Sequence, residues 1–145
     1  MYEIGKIITN ALQQDADLAF LGLTIWREAR GQSQECQRGV AYSILNRCRK
    51  RDQDIMAVVF APLQYSSLTY KRDPQLTTWP KSSDPSWIQC LRVANEAICG
   101  VSDNPVGLAV NYHDISISAP KWAVPRWFVI QIGRIRFFVE GADHG

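Results

Sequence analysis

Metal and thiol chemistry have little to work with in this chain. It carries two histidines and four cysteines, and Cys36, Cys48, Cys90 and Cys99 form no CxxC pair. So few ligands, at no zinc-like spacing, predict no metal site and no other cofactor. Cys36 and Cys90 fall among helical apolar positions and read as reduced, buried thiols. A disulfide would need an oxidising compartment. No stretch approaches the ~18 consecutive apolar residues of a membrane span, so no stable membrane insertion is expected. The start, Met1 to Lys6, lacks a basic segment followed by a clean apolar run. The chain therefore reads as made in the cytoplasm without a signal peptide. P-loop, dinucleotide-binding, HExxH and GxSxG motifs are all missing. A formal net charge of +2 is too small to argue for nucleic acid. The basic run Arg47 to Arg51 suits a helix C-terminus instead.

What is present is an ordinary globular composition, 46% hydrophobic and 21% charged over 145 residues. That is enough for one domain, here taken as residues 1–145, with a real core. Five Trp and five Tyr are many for this length, and surplus aromatics often wall sugar or peptide clefts. The periodicity predicts a short helix over 2–13, with Ile4, Ile7, Ile8, Ala11 and Leu12 on one face. Asp15 or Asp17 then caps a helix running to about Arg30. Ser33 caps a third, with Cys36, Val40, Ile44 and Cys48 inward. Asp52 or Asp54 opens a turn from Ile55 to Phe60, ended by Pro62.

Residues 61–84 read as a long irregular segment, and such loops in compact domains are usually functional. Tyr65, Tyr70 and Trp79 make it the first candidate for a cleft wall. Asp84-Pro85 starts a helix that presents Trp87, Leu91, Ala94 and Ile98 and stops at Gly100. Strands follow over 108–113, 127–132 and 135–139. The last two are joined by Gly133-Arg134, a two-residue loop with glycine first, as a type II′ turn requires. The fold class is thus α+β and mainly helical, with a small antiparallel β-sheet near the C-terminus.

Glu28 stands out. From Leu18 to Trp26 nearly every residue is apolar, so this helix lies buried. A lone carboxylate then appears in its last turn, between Arg27 and Arg30 and before Gly31, where a positive φ is expected. Burial and the negative end of the helix dipole would raise its pKa; the two arginines would lower it. A carboxyl group protonated near neutral pH is what a general acid needs. The pattern alone fits a surface Glu paired with a neighbouring arginine somewhat better. His113 lacks a partner for a nucleophilic triad, since His144 sits at the terminus. Carboxylate chemistry is what remains, with Asp73, Asp84, Asp103 and Asp114 as lesser second acids.

Trp26-Arg27-Glu28-Ala29-Arg30-Gly31, the segment Val40 to Arg47, Gln64-Tyr65-Ser66, Ala109 to His113, Pro120-Lys121-Trp122 and Ile132 to Phe138 carry a resemblance. In this order and spacing they resemble the SleB/CwlJ family of cell-wall hydrolases, the spore-cortex-lytic type with bacteriophage relatives, over about 18–138. The resemblance implies a lysozyme-like helical body. It implies cleavage of peptidoglycan glycan strands between N-acetylmuramic acid and N-acetylglucosamine, as a lytic transglycosylase leaving a 1,6-anhydro end. It places the catalytic acid/base on Glu28. Substrate contacts fall on Gln64, Tyr65, Ser66, Tyr112, His113 and Trp122. The protein is expected to act on the cell wall as a monomer, and the missing signal peptide and separate wall-binding domain fit a compact phage endolysin.

Three places depart from the family's pattern. Arg27 replaces a small residue, Gln32 replaces a second acid, and Asn104-Pro105-Val106 loses a threonine. One strong carboxylate without an evident second favours transglycosylation, since glycoside hydrolysis uses two. A hydrolytic muramidase and a catalytically weak wall-binding module remain the alternatives. A nucleic-acid binder using Arg47 to Arg51 would show strongly salt-dependent DNA binding, which is not expected.

Overall fold

The computed structural model describes residues 2–62 and 64–141. His144 lies outside the described residues. Five α-helices come first: α1 (Tyr2–Ala29), α2 (Gln34–Arg51), α3 (Ile55–Val59), α4 (Ser66–Thr69) and α5 (Pro85–Cys99). Three strands follow: β1 (Asn111–Asp114), β2 (Phe128–Ile132) and β3 (Ile135–Phe138). They form one antiparallel sheet in the order β1-β3-β2. This is the expected mainly helical α+β arrangement. No helix among the described residues is long and apolar enough to cross a membrane.

The caps explain most boundaries. Ser33 accepts from the Cys36 N–H and starts α2, Asp54 accepts from Ala57 and starts α3, and Asp84 accepts from Ser86 and starts α5. Gly100, at φ 71°, ends α5 in the left-handed region. Asp52 ends α2 rather than starting the next helix, and takes φ 50° to do so. Gly31 has no positive φ, contrary to expectation; α1 closes through Arg30 and Gln32 N–H bonds to the Trp26 and Ala29 carbonyls.

Two helical readings are corrected. Residues 2–13 are not a separate helix but the first part of α1. No Gly or Pro breaks the chain near Asp15, and the Gln13 amide bonds Asp17 within the helix at 3.1 Å. The Ile4, Ile7, Ile8 and Leu12 stripe is exposed rather than packed. In α5 the buried face is Cys90, Val93, Ala94 and Ala97, turned from the expected one; Ile98 is exposed.

The core lies where the second half of α1 meets α2, α3, α5 and one face of the sheet. Leu21, Ile25, Cys36, Val40, Ile44 and Phe137 are fully buried. Side chains of this size contribute about 1.5–3 kcal/mol each on burial. Cys36 and Cys90 are buried free thiols, as read, and burial pushes their pKa values to about 11 and about 12. Close approach fixes Gly39: a Cβ there would stand 2.7 Å from the Phe137 ring. Three of the four cations at the basic end of α2 bond within the chain. Arg47 donates to the Val110 carbonyl at 2.7 and 3.1 Å, and Lys50 and Arg51 pair with Glu140 at 3.1 and 2.7 Å.

Candidate active site

Glu28 occupies the last turn of α1, where the helix leaves the core and its side chain can turn toward a cleft. It is half-buried. The Ser67 hydroxyl of α4 donates to its carboxylate at 3.3 Å. Tyr112 of β1 faces the same carboxyl without closing a bond of ordinary geometry; its hydroxyl is buried and unpartnered. The Glu28 pKa is raised to about 7. Desolvation is the main cause, opposed by the Ser67 hydrogen bond and supported by the nearby Asp73 charge. The expected pull of the two arginines is missing because their side chains point elsewhere. Arg27 donates to the carbonyls of Ser67, Leu76 and Thr78, and Arg30 to Trp26 O and Gln75 Oε1.

The cleft beside Glu28 has a volume of about 1180 Å³. One wall is the 64–70 segment, with Gln64, Tyr65, Ser66 and Tyr70. The other is the edge strand β1 and the loop after it, with Tyr112, His113, Asp114 and Trp122. All six residues picked as substrate contacts therefore line one cavity with Glu28. Trp79 does not; it lies against the Arg27 guanidinium, 4.5 Å from the ring centroid. His113 is held by aromatic neighbours, stacked on Phe138 at 5.6 Å and edge-on to Trp122 at 6.0 Å. Its Nδ1 lies 3.0 Å from the Asp114 carbonyl, which selects Nδ1–H as donor and leaves Nε2 a buried acceptor without a partner. The Tyr65 hydroxyl is likewise buried and unpartnered. Unmet polar groups of this kind cost about 1–3 kcal/mol each and gather at sites that bind something polar. Among the described residues no three His, Cys, Asp or Glu side chains are grouped to hold a metal.

A family model described as Cell Wall Hydrolase matches residues 31–138, most of the chain. The chain belongs to the cell wall hydrolase family. Among solved structures it is similar to the catalytic domain of the germination-specific lytic transglycosylase SleB from Bacillus anthracis, and to the catalytic domain of the Bacillus cereus SleB protein. Each match has TM-score 0.66 and 24% identity and covers 84% of this chain; 93% and 88% of those chains are covered. At that identity the likeness speaks for the fold. No curated protein sequence matches the chain.

In this cell wall hydrolase the family match begins just after Glu28, so Glu28 is singled out by its surroundings rather than by the match. The departures now have physical readings. Gln32 stands away from the cleft, and its Oε1 accepts the Arg134 N–H of the β2–β3 turn at 3.3 Å. Val106 is fully buried against the Gly39 position and faces the core. Of the lesser acids, Asp84 and Asp73 cap helical turns and Asp103 is exposed. Asp114 does line the cleft but pairs with Arg134 at 3.4 Å. Sequence reasoning missed Ser67, although it adjoins Ser66, because nothing in the pattern says which hydroxyl of a Ser-Ser pair turns inward. It also missed Arg47, a buried cation on the cleft wall behind Tyr65, hidden within a basic run.

Proposed function

We propose that this cell wall hydrolase cleaves peptidoglycan glycan strands between N-acetylmuramic acid and N-acetylglucosamine, as a lytic transglycosylase with Glu28 as its one acid/base. The observation that carries this is a desolvated carboxyl at the cleft, its pKa raised to about 7, while the nearby Asp73 carboxylate is turned to the Ser66 hydroxyl and the Gln75 N–H. Asp114 and Glu140, the other acids lining the cleft, are paired with cations, and their pKa values are lowered. Neither bonds to Glu28.

The Glu28 carboxylic acid gives its proton to the glycosidic oxygen as the bond from the anomeric carbon to that oxygen breaks. The sugar's own 6-hydroxyl then bonds to the anomeric carbon, and its proton returns to the Glu28 carboxylate. No water is consumed, and the acid is regenerated. Ser67 stabilises the carboxylate formed midway. Tyr65, Tyr112, His113 and Trp122, with Gln64 and Ser66, hold the strand in the cleft; aromatic faces suit sugar rings, and the unmet polar atoms suit hydroxyl and acetamido groups. The relatives named SleB support this reading, since the B. anthracis protein is described as a lytic transglycosylase. The whole chain, 1–145, acts as one catalytic domain, as a monomer on the cell wall.

Lysis of purified cell walls by wild type and Glu28→Gln tests it. Loss of a general acid should lower the rate about 10²–10⁴-fold. Equal lysis by the two proteins removes Glu28 from the role. Mass spectrometry of the fragments should show 1,6-anhydro ends. Reducing ends would make the enzyme a hydrolytic muramidase, with Asp114 or Asp73 the acids to examine next.

A further inference from the structure

The residue before the acid is the most unusual one at the site. Arg27 is a buried cation, 7% exposed, with no carboxylate salt bridge among the described residues. Its guanidinium is spent on backbone. Nη1 donates to Ser67 O at 3.0 Å, Nη2 to Leu76 O at 3.2 Å and Nε to Thr78 O at 3.2 Å. Trp79 covers its face. One turn on, Arg30 reaches the same loop through Gln75 Oε1 at 2.7 Å. The loop so held carries Ser67, whose hydroxyl reaches Glu28, and ends one wall of the cleft. Five donors in a rigid fork suit this task; a lysine ammonium cannot span three separate carbonyls.

We propose that Arg27, with Arg30 as second anchor, is a positioning residue for the acid: it clamps the 66–79 loop to the end of α1 and thereby holds the Ser67 hydroxyl on Glu28. This rests on Glu28 being the acid. The two neighbours in sequence thus act on the same carboxyl by different routes, one as the group itself and one through a loop forty residues away.

The readout is the alkaline limb of the pH profile of kcat/KM, which follows the acid's pKa. Several groups face Glu28. Ser67 and Asp73 come from the clamped loop, Tyr112 from β1 and Tyr65 from the residue before α4, with Arg47 of α2 behind the two tyrosines. Asp73 moves with the loop and acts opposite to Ser67, so the coupling between variants is the measurement, not the shift of Arg27→Lys alone. Lysine keeps the charge and removes the three-way grip.

In the wild-type background, Ser67→Ala should move the limb up by roughly half to one pH unit, because the lost hydrogen bond favoured the ionised form. In the Arg27→Lys background the same substitution should move it little or not at all, since Ser67 is already off the carboxyl. Equal shifts in both backgrounds, or none in wild type, overturn the proposal. If Arg27→Lys loses its helical circular dichroism, Gln75→Ala replaces it as the loosened background, and a reduced Ser67→Ala shift is again required. Glu28→Gln run alongside separates the two failures: an active Glu28→Gln removes the acid assignment, whereas an inactive one with additive shifts removes only the clamp.

Discussion

Glu28 is an expensive residue to fold. An unfolded glutamate loses its proton near pH 4.5, whereas folded Glu28 keeps it to about pH 7. Between those values the folded state binds more protons, so stability falls as pH rises; it is fully present below about 4.5 and lost above 7. The displacement corresponds to about 1–3 kcal/mol, allowing for partial exposure. A neutral amide of the same shape escapes this cost. Glu28→Gln should therefore melt several degrees above wild type at pH 8, with the gap closing toward pH 4.5. Equal melting temperatures at pH 8 would mean the carboxyl is better solvated than its surroundings indicate. The location of this acid was legible in sequence, because an apolar run that ends in one carboxylate is conspicuous. Its tuning was not, because a sequence cannot say that both flanking arginines turn away to a distant loop.

Among the elements, α2 and β3 approach closely at Gly39. Gly39 lets the Phe137 ring and Val106 seat against the helix, and a methyl group there would meet them at 2.7 and 3.1 Å. Gly39→Ala should cost about 1–3 kcal/mol of stability, read as a lower urea midpoint at unchanged slope. An unchanged midpoint would show that the ring can swing aside. Elements announced by local chemistry were read correctly: the Ser33 and Asp84 caps, the Gly100 stop, and the Gly133-Arg134 turn, where only the glycine has positive φ. Elements that depend on partners were not. The apolar spacing of α5 fits two neighbouring faces, and packing against α1 and α2 selects one. The Ile stripe of α1 has helical spacing whether or not anything covers it.

At the scale of the molecule, the cleft gathers the end of α1, the 64–70 wall, β1 and the loop after it, from positions spread across nearly the whole chain. The first turns of α1 take no part, since residues 3–15 are all exposed. Removing residues 2–12 should leave wall lysis unchanged and the melting temperature within a few degrees; a larger fall would mean those turns support the core. Motif order made the cleft legible as a list of residues, but which of them share a wall follows only from the antiparallel pairing of β1 with β3. The clamp also brings its own optical signal. Trp79 is 66% exposed yet rests on the Arg27 guanidinium, so its indole emits from beside a cation only while the loop is docked. The difference in emission between wild type and Trp79→Phe would therefore follow attachment of the cleft wall, without a label, as substrate enters and leaves.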